Sequence, residues 1–178
     1  MSTTSAATLR KRREAVVIEH MESENRHEFD VTMTTFEHPR YEIIPTGDVF
    51  DGEAAVAGYF EESRAAFPDQ RNELLEMHHA DDSVIVEFTL LGTHLGPFRG
   101  LPATGKAFSC RTLAIFVFEP GGDGIICERV YFDSATILRQ LGLAHDPLTL
   151  KGRLATLANH PVTIGGAFAR ELGGRLRP

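Results

Sequence analysis

The chain has 178 residues, 42% hydrophobic and 24% charged, with a formal net charge of −7, the size and texture of one globular domain with its own core. The acidic balance, with only Arg10 to Arg13 as a basic run, argues against nucleic-acid binding, since neutralising phosphates takes a basic face. The longest apolar runs, such as Leu113 to Phe118, fall far short of the roughly 20 residues a membrane span requires.

In chain order, the N-terminal basic run is followed by only Ala15 to Ile18 as apolar residues, too few for a secretory signal of roughly 7 to 15. From Ala6 to Phe36 apolar residues recur at helical spacing (Val16, Val17, Met21; Phe29, Met33, Phe36), which predicts one broken helix or two. Pro39 and Pro45-Thr46-Gly47 bracket a short strand at Tyr41 to Ile44. Asp51-Gly52 opens a second helix, with Ala55, Val56, Tyr59 and Phe60 on one face, which Ala66-Phe67-Pro68 ends. The period then changes to that of strands, at Asn72 to His79, Ser83 to Leu95, Lys106 to Glu119 and Ile125 to Phe132. A helix from Asp133 to Leu141 ends at Gly142. The remainder, Ala144 to Pro178, reads as two short amphipathic helices behind the turns His145-Asp146-Pro147 and Asn159-His160-Pro161, packed loosely or against another subunit. Helices, then a meandering sheet, then helices make an α+β layer fold.

Strand alternation sorts side chains by face. On Lys106 to Glu119 one row is Phe108, Cys110, Thr112, Ala114, Phe116 and Phe118; the other is Ser109, Arg111, Leu113, Ile115 and Val117. Both are largely apolar, so both sides of the sheet are expected to be covered. Arg111 in the second row is either a strand-end arginine reaching water or a pocket cation for an anionic or carbonyl oxygen. Asp133 is either the N-cap of the following helix or an acid/base group at an apolar pocket. These two readings demand opposite pKa shifts, since capping favours the ionised form and desolvation the neutral one. His38, before Pro39, is a surface or pocket-rim residue, and His94, at a strand end, is expected as a surface imidazole. His78 and His79 are adjacent on a strand and point apart, so they do not chelate one ion; no metal site is expected. GxSxG, P-loop and GxGxxG signals are absent. Cys110 and Cys127 fit no disulfide scaffold and lie in expected strands as small buried hydrophobes, and a reducing cytoplasm is the expected location. With no tryptophan and 12 phenylalanines, a pocket is expected to be walled by Phe, Leu, Ile and Met.

Ala66-Phe67-Pro68-Asp69, Gly92-Thr93-His94-Leu95-Gly96-Pro97-Phe98 with Gly100, Ala103-Thr104-Gly105-Lys106, and Asp133 followed by Leu138-Arg139-Gln140-Leu141-Gly142 together resemble the SnoaL-like polyketide cyclases of the nuclear transport factor 2-like superfamily. The resemblance spans about Glu28 to Leu143 and divides the chain into an N-terminal helical extension (1–23), a SnoaL-like domain (24–143) and a C-terminal helical tail (144–178). It implies a cone-shaped α+β fold in which a curved antiparallel sheet packs on N-terminal helices around a deep hydrophobic pocket. It also implies homodimers through the outer sheet face, and no metal or organic cofactor. Asp133 matches the aspartate that serves as acid/base in the intramolecular aldol closure of a polyketide ester, and His38 resembles a pocket histidine. The chain departs from the family in having Arg129-Val130-Tyr131-Phe132 where many members place a tryptophan, and in having no histidine between Lys106 and Phe118.

The expected function is acid/base catalysis on a lipophilic small molecule, an aldol cyclisation or isomerisation. Asp133 would move the proton, and His38, Tyr59, His94, Arg111 and Tyr131 would bind the substrate. Two alternatives stand beside it: epoxide or ester hydrolysis, with Glu87 as the carboxylate to pair with Asp133, and a non-catalytic protein that sequesters a hydrophobic ligand.

Overall fold

The computed structural model describes residues 3–175. Two helices, Thr3–Arg26 (α1) and Phe29–Thr34 (α2), precede a hairpin of Arg40–Ile43 (β1) and Asp48–Asp51 (β2). Glu53–Ala66 (α3) leads into four long strands, Arg71–His79 (β3), Ser83–Thr93 (β4), Ala107–Phe118 (β5) and Ile125–Phe132 (β6). Ser134–Gln140 (α4), Leu150–Asn159 (α5) and Pro161–Arg175 (α6) close the chain. The N-terminal helical stretch is indeed two helices, broken where His27 takes a left-handed φ of 60°. The strand order is β2-β1-β6-β5-β4-β3; β1 runs parallel to β6 and every other pair is antiparallel. Thus the α+β expectation holds. β2 was not foreseen, because four residues between Gly47 and Gly52 carry too short an alternation to signal a strand.

The alternation on β5 sorts as read: Phe108, Cys110, Thr112, Ala114, Phe116 and Phe118 are buried, while Arg111, Leu113, Ile115 and Val117 keep partial or full exposure. From the inner row Ala114, Phe116 and Phe118 join Val84, Val86 and Phe88 of β4, Val130 of β6, Val17 and Met21 of α1, and Val56 and Phe60 of α3 in one core, each large side chain contributing about 2 kcal/mol of apolar burial. A smaller cluster of Ala66, Phe67, Phe108, Cys110 and Leu141 forms where α3 ends and α4 docks. Between the two the apolar filling is incomplete, and a cavity opens there.

Two local devices hold this architecture. Arg13, buried on α1, donates to the carbonyls of Asp81, Glu119 and Gly122 at 2.9, 3.2 and 2.9 Å and lies 4.7 Å over the Phe118 ring, so one side chain ties α1 to two hairpin turns. At the other end the amides of Leu95 and Gly96 donate to Ala66 O, an approach so close that a Cβ on Gly96 would collide with the Ala65 carbonyl. Tail helices α5 and α6 pack on each other and leave Leu150, Leu154, Val162 and Phe168 exposed. Among the described residues, no helix is long and apolar enough to cross a membrane.

Candidate functional site

The cavity holds about 370 Å³ and is walled mainly by apolar side chains: Leu90, Phe108 and Phe132 from the strands, Phe67 after α3, and Ile137 and Leu141 from α4. The turn Phe98 to Leu101, with Arg99 at φ 49° and Gly100 at φ 82°, brings Phe98, Arg99 and Leu101 to its rim. Arg99 is held there by Asp48 at 2.5 Å, and Asp48 also accepts from the Thr46 hydroxyl. Within the walls Ser63 donates to Gln70 Oε1 at 2.9 Å. His94 is 1% exposed, and its Nε2 is buried without a partner.

A smaller cavity of about 40 Å³ shares Tyr59, Gln70, Leu90 and Phe132 with the large one and is lined in addition by Glu24 and Glu128. These two carboxyls belong to a buried polar network. On α1 the spacing from His20 to Glu24 turns both inward beside Val17 and Met21; on β6 Glu128 shares the inner face with Val130. His20 sits with Nδ1 2.7 Å from Thr35 Oγ1 and Nε2 2.7 Å from Tyr41 Oη. The Thr35 hydroxyl donates to Thr32 O, so the His20 Nδ1–H donates to Thr35. Tyr41 Oη–H donates to Glu24 Oε1 at 2.8 Å, and Asn72 Nδ2 donates to Glu24 Oε2 at 2.8 Å. Glu128 Oε2 lies 3.1 Å from His20 Nε2, yet that nitrogen is directed at Tyr41, and Oε2 has no hydrogen bond of good geometry.

Burial pushes the Glu128 carboxyl above its ordinary value of 4.5, more than its contacts with His20 pull it down. For His20, burial acts to lower the pKa, but the neighbouring Glu128 and Glu24 outweigh it and the imidazole is raised from 6.5. Burial likewise raises the Tyr41 and Tyr59 hydroxyls, which stay protonated. His20, Glu24 and Glu128 are the one set of donors among the described residues close enough to share a metal ion, all within 4.8 Å. The Tyr41 hydroxyl already bridges His20 Nε2 and Glu24 Oε1, however, with Glu128 Oε2 3.1 Å from the same nitrogen.

The residues singled out in the sequence divide into three places. Tyr59 and His94 line the large cavity. Arg111, Tyr131 and Asp133 gather instead in an open groove on the outer face of the sheet, together with Glu87, whose Oε2 is 3.7 Å from Arg111 Nη1. His38 is exposed at the start of the β1–β2 hairpin, 2.5 Å from Asp51 Oδ1, and lines neither the cavity nor the groove. Asp133 is the N-cap of α4: its Oδ1 accepts from the Thr136 amide at 3.1 Å, its Oδ2 accepts from the Thr136 hydroxyl, and its side chain is 57% exposed. Those Thr136 bonds hold its carboxyl below the ordinary 3.8. The shift is therefore the one capping demands, and the geometry gives Asp133 the cap. Glu128 and His20 were not singled out. The signals were present: a carboxylate alternating with Val130 and Phe132 on an otherwise apolar row, and His20 and Glu24 at helical spacing behind Val17.

The sequence pattern of the SnoaL-like polyketide cyclases matches residues 15–141. No curated protein matches the chain. Among solved structures, a candidate SnoaL-like polyketide cyclase from Jannaschia sp. CCS1 superposes with a TM-score of 0.67 at 18% identity, covering 76% of this chain and 94% of that one. IdmH, a candidate polyketide cyclase from Streptomyces antibioticus, gives 0.62 at 22% identity over 73% and 98%. AclR, a candidate hydroxylase from Streptomyces galilaeus, gives 0.61 at 21% over 73% and 95%. At these identities the likeness is one of fold.

Proposed function

The chain belongs to the SnoaL-like polyketide cyclase family, and from that premise we propose that it binds a lipophilic small molecule in the interior cavity and transfers a proton at carbon next to a carbonyl, with Glu128 as the acid/base. One observation carries this reading: the Glu128 carboxyl is 5% exposed, has an unpartnered oxygen, and lines the small cavity that adjoins the large one. An acid/base works best when its pKa approaches the working pH, and burial moves Glu128 in that direction.

In an aldol closure, the ionised Glu128 takes the proton from the carbon next to the ester or ketone carbonyl. The enolate oxygen is met by the hydroxyl of Tyr59, which lines both cavities. The enolate carbon attacks a second carbonyl of the same molecule, and the alkoxide so formed takes the proton back from Glu128. The hydrogen-bonded His20, with Tyr41 and Glu24 behind it, supplies the positive charge that lets Glu128 ionise in an apolar surrounding. Copies of the chain pair through the outer sheet face, where Ile85, Leu113 and Ile115 form an apolar strip across β4 and β5. The buried free thiols of Cys110 and Cys127 suit a reducing cytoplasm.

2-Tetralone, a bicyclic ketone with acidic protons beside its carbonyl, tests the reading. In D₂O the protein should wash deuterium into that carbon, and Glu128→Gln should slow the exchange about 10²- to 10⁴-fold while Asp133→Asn leaves it near wild type. Equal exchange by wild type and Glu128→Gln would remove Glu128 from the chemistry. No exchange by the wild type, with tetralone still bound, would favour a binding protein.

A further inference from the structure

We propose that His94 forms a carbonyl-binding subsite, its Nε2–H donating a hydrogen bond to a ketone, ester or quinone oxygen at the end of the ligand remote from Glu128. This inference rests on the reading of the cavity as a small-molecule site. The backbone amide of Thr104 donates to His94 Nδ1 at 3.3 Å, and the Thr104 hydroxyl lies 3.2 Å from the same nitrogen. Nδ1 is thus the acceptor, and the ring proton sits on Nε2. The ring itself is fixed: the His94 amide donates to Lys106 O, the His94 carbonyl accepts from Gly105 N, both at 2.9 Å, and Phe67 packs against the imidazole with centroids 5.3 Å apart.

A donor this deeply buried with nothing to donate to is costly, and Nε2 has no hydrogen-bond partner among the described residues. Ser63 and Gln70 bond each other, and Arg99 is held by Asp48. What satisfies Nε2–H is an acceptor brought in by the ligand. An uncharged donor among Phe67, Phe98 and Phe108 suits a neutral carbonyl on a flat lipophilic ring system, because a carboxylate would enter the apolar walls without a countercharge. His94 stands at the far end of β4 and Glu128 lines the adjoining small cavity. The matching ligand is elongated, with one carbonyl at the His94 end and the reacting carbon at the other.

Fluorenone and fluorene, which differ by the carbonyl oxygen, read the subsite directly. Equilibrium dialysis of the full chain should show fluorenone bound about 3- to 10-fold more tightly, the yield of one net hydrogen bond. His94→Phe should erase that ratio, and His94→Gln, which keeps an N–H, should restore part of it. Bound to the wild type, the fluorenone carbonyl should absorb at a lower infrared frequency than in hexane; this readout stands even where His94→Phe fails to fold. Equal binding of the two probes with a hexane-like carbonyl band overturns the subsite and leaves the cavity reading intact. Failure of both probes to bind overturns both.

Discussion

Two carboxylates only five residues apart illustrate how surroundings set a group's role. Asp133 receives the Thr136 amide and hydroxyl at the start of α4 and stays ionised; Glu128 lies on the inner face, and burial presses it toward the neutral form. The difference has a signature in stability. Glu128 and His20 are both raised in the folded protein, from 4.5 and 6.5. A group raised on folding contributes stability below its unfolded pKa and loses it as pH climbs through the folded one. The melting temperature should therefore fall as pH climbs, Glu128 contributing above its ordinary 4.5 and His20 above 6.5. Glu128→Gln should flatten the slope and, at pH 8, melt a few degrees above wild type, as calorimetry would record; a variant with an unchanged slope would mean that Glu128 titrates normally. Asp133 drew notice in the sequence because it precedes a recognisable helix start, and that same position is what makes it a cap. Glu128 passed unnoticed because one carboxylate in a strand carries no spacing of its own, and its partners His20, Glu24 and Tyr41 come from elements far away in the chain.

At the level of elements, the long strands were legible because their two-residue alternation is strong: Phe108 to Phe118 separated into buried and outward rows as read. The place of the helix break, at His27, and the existence of β2 were not, since a left-handed residue and a four-residue strand leave little periodic trace. The tail helices begin where the turns placed them, α5 at the Thr149 cap and α6 directly after Asn159-His160. Within it Gly152 is buried against the Asp146 carbonyl and Pro147 so closely that a Cβ would clash. A chain ended after Asp146 should melt within a few degrees of the full chain and, if pairing runs through the outer sheet face, should keep the dimer mass in light scattering. A truncated chain that is monomeric while the full chain is a dimer would assign assembly to α5 and α6.

For the molecule as a whole, the proposed function rests on a core that is incompletely filled. The sheet and α1 to α3 close over one apolar cluster, α4 seals a second, and the space between is lined by rings on most sides and by polar groups at few points. His94 is one of those points; Glu128, with His20 and Tyr41 beside it, borders the adjoining small cavity, and the proposed chemistry uses both. The sequence foretold the architecture and the greasy walls; it missed the buried His20–Glu24–Glu128 cluster because burial and convergence in space, which create it, are written in no single segment. The most direct test is a ¹³C titration of the Glu128 carboxyl, free and with 2-tetralone bound. The account predicts a midpoint above the ordinary glutamate value of 4.5 that moves when the ketone enters; a midpoint at that value, indifferent to the ketone, would contradict it.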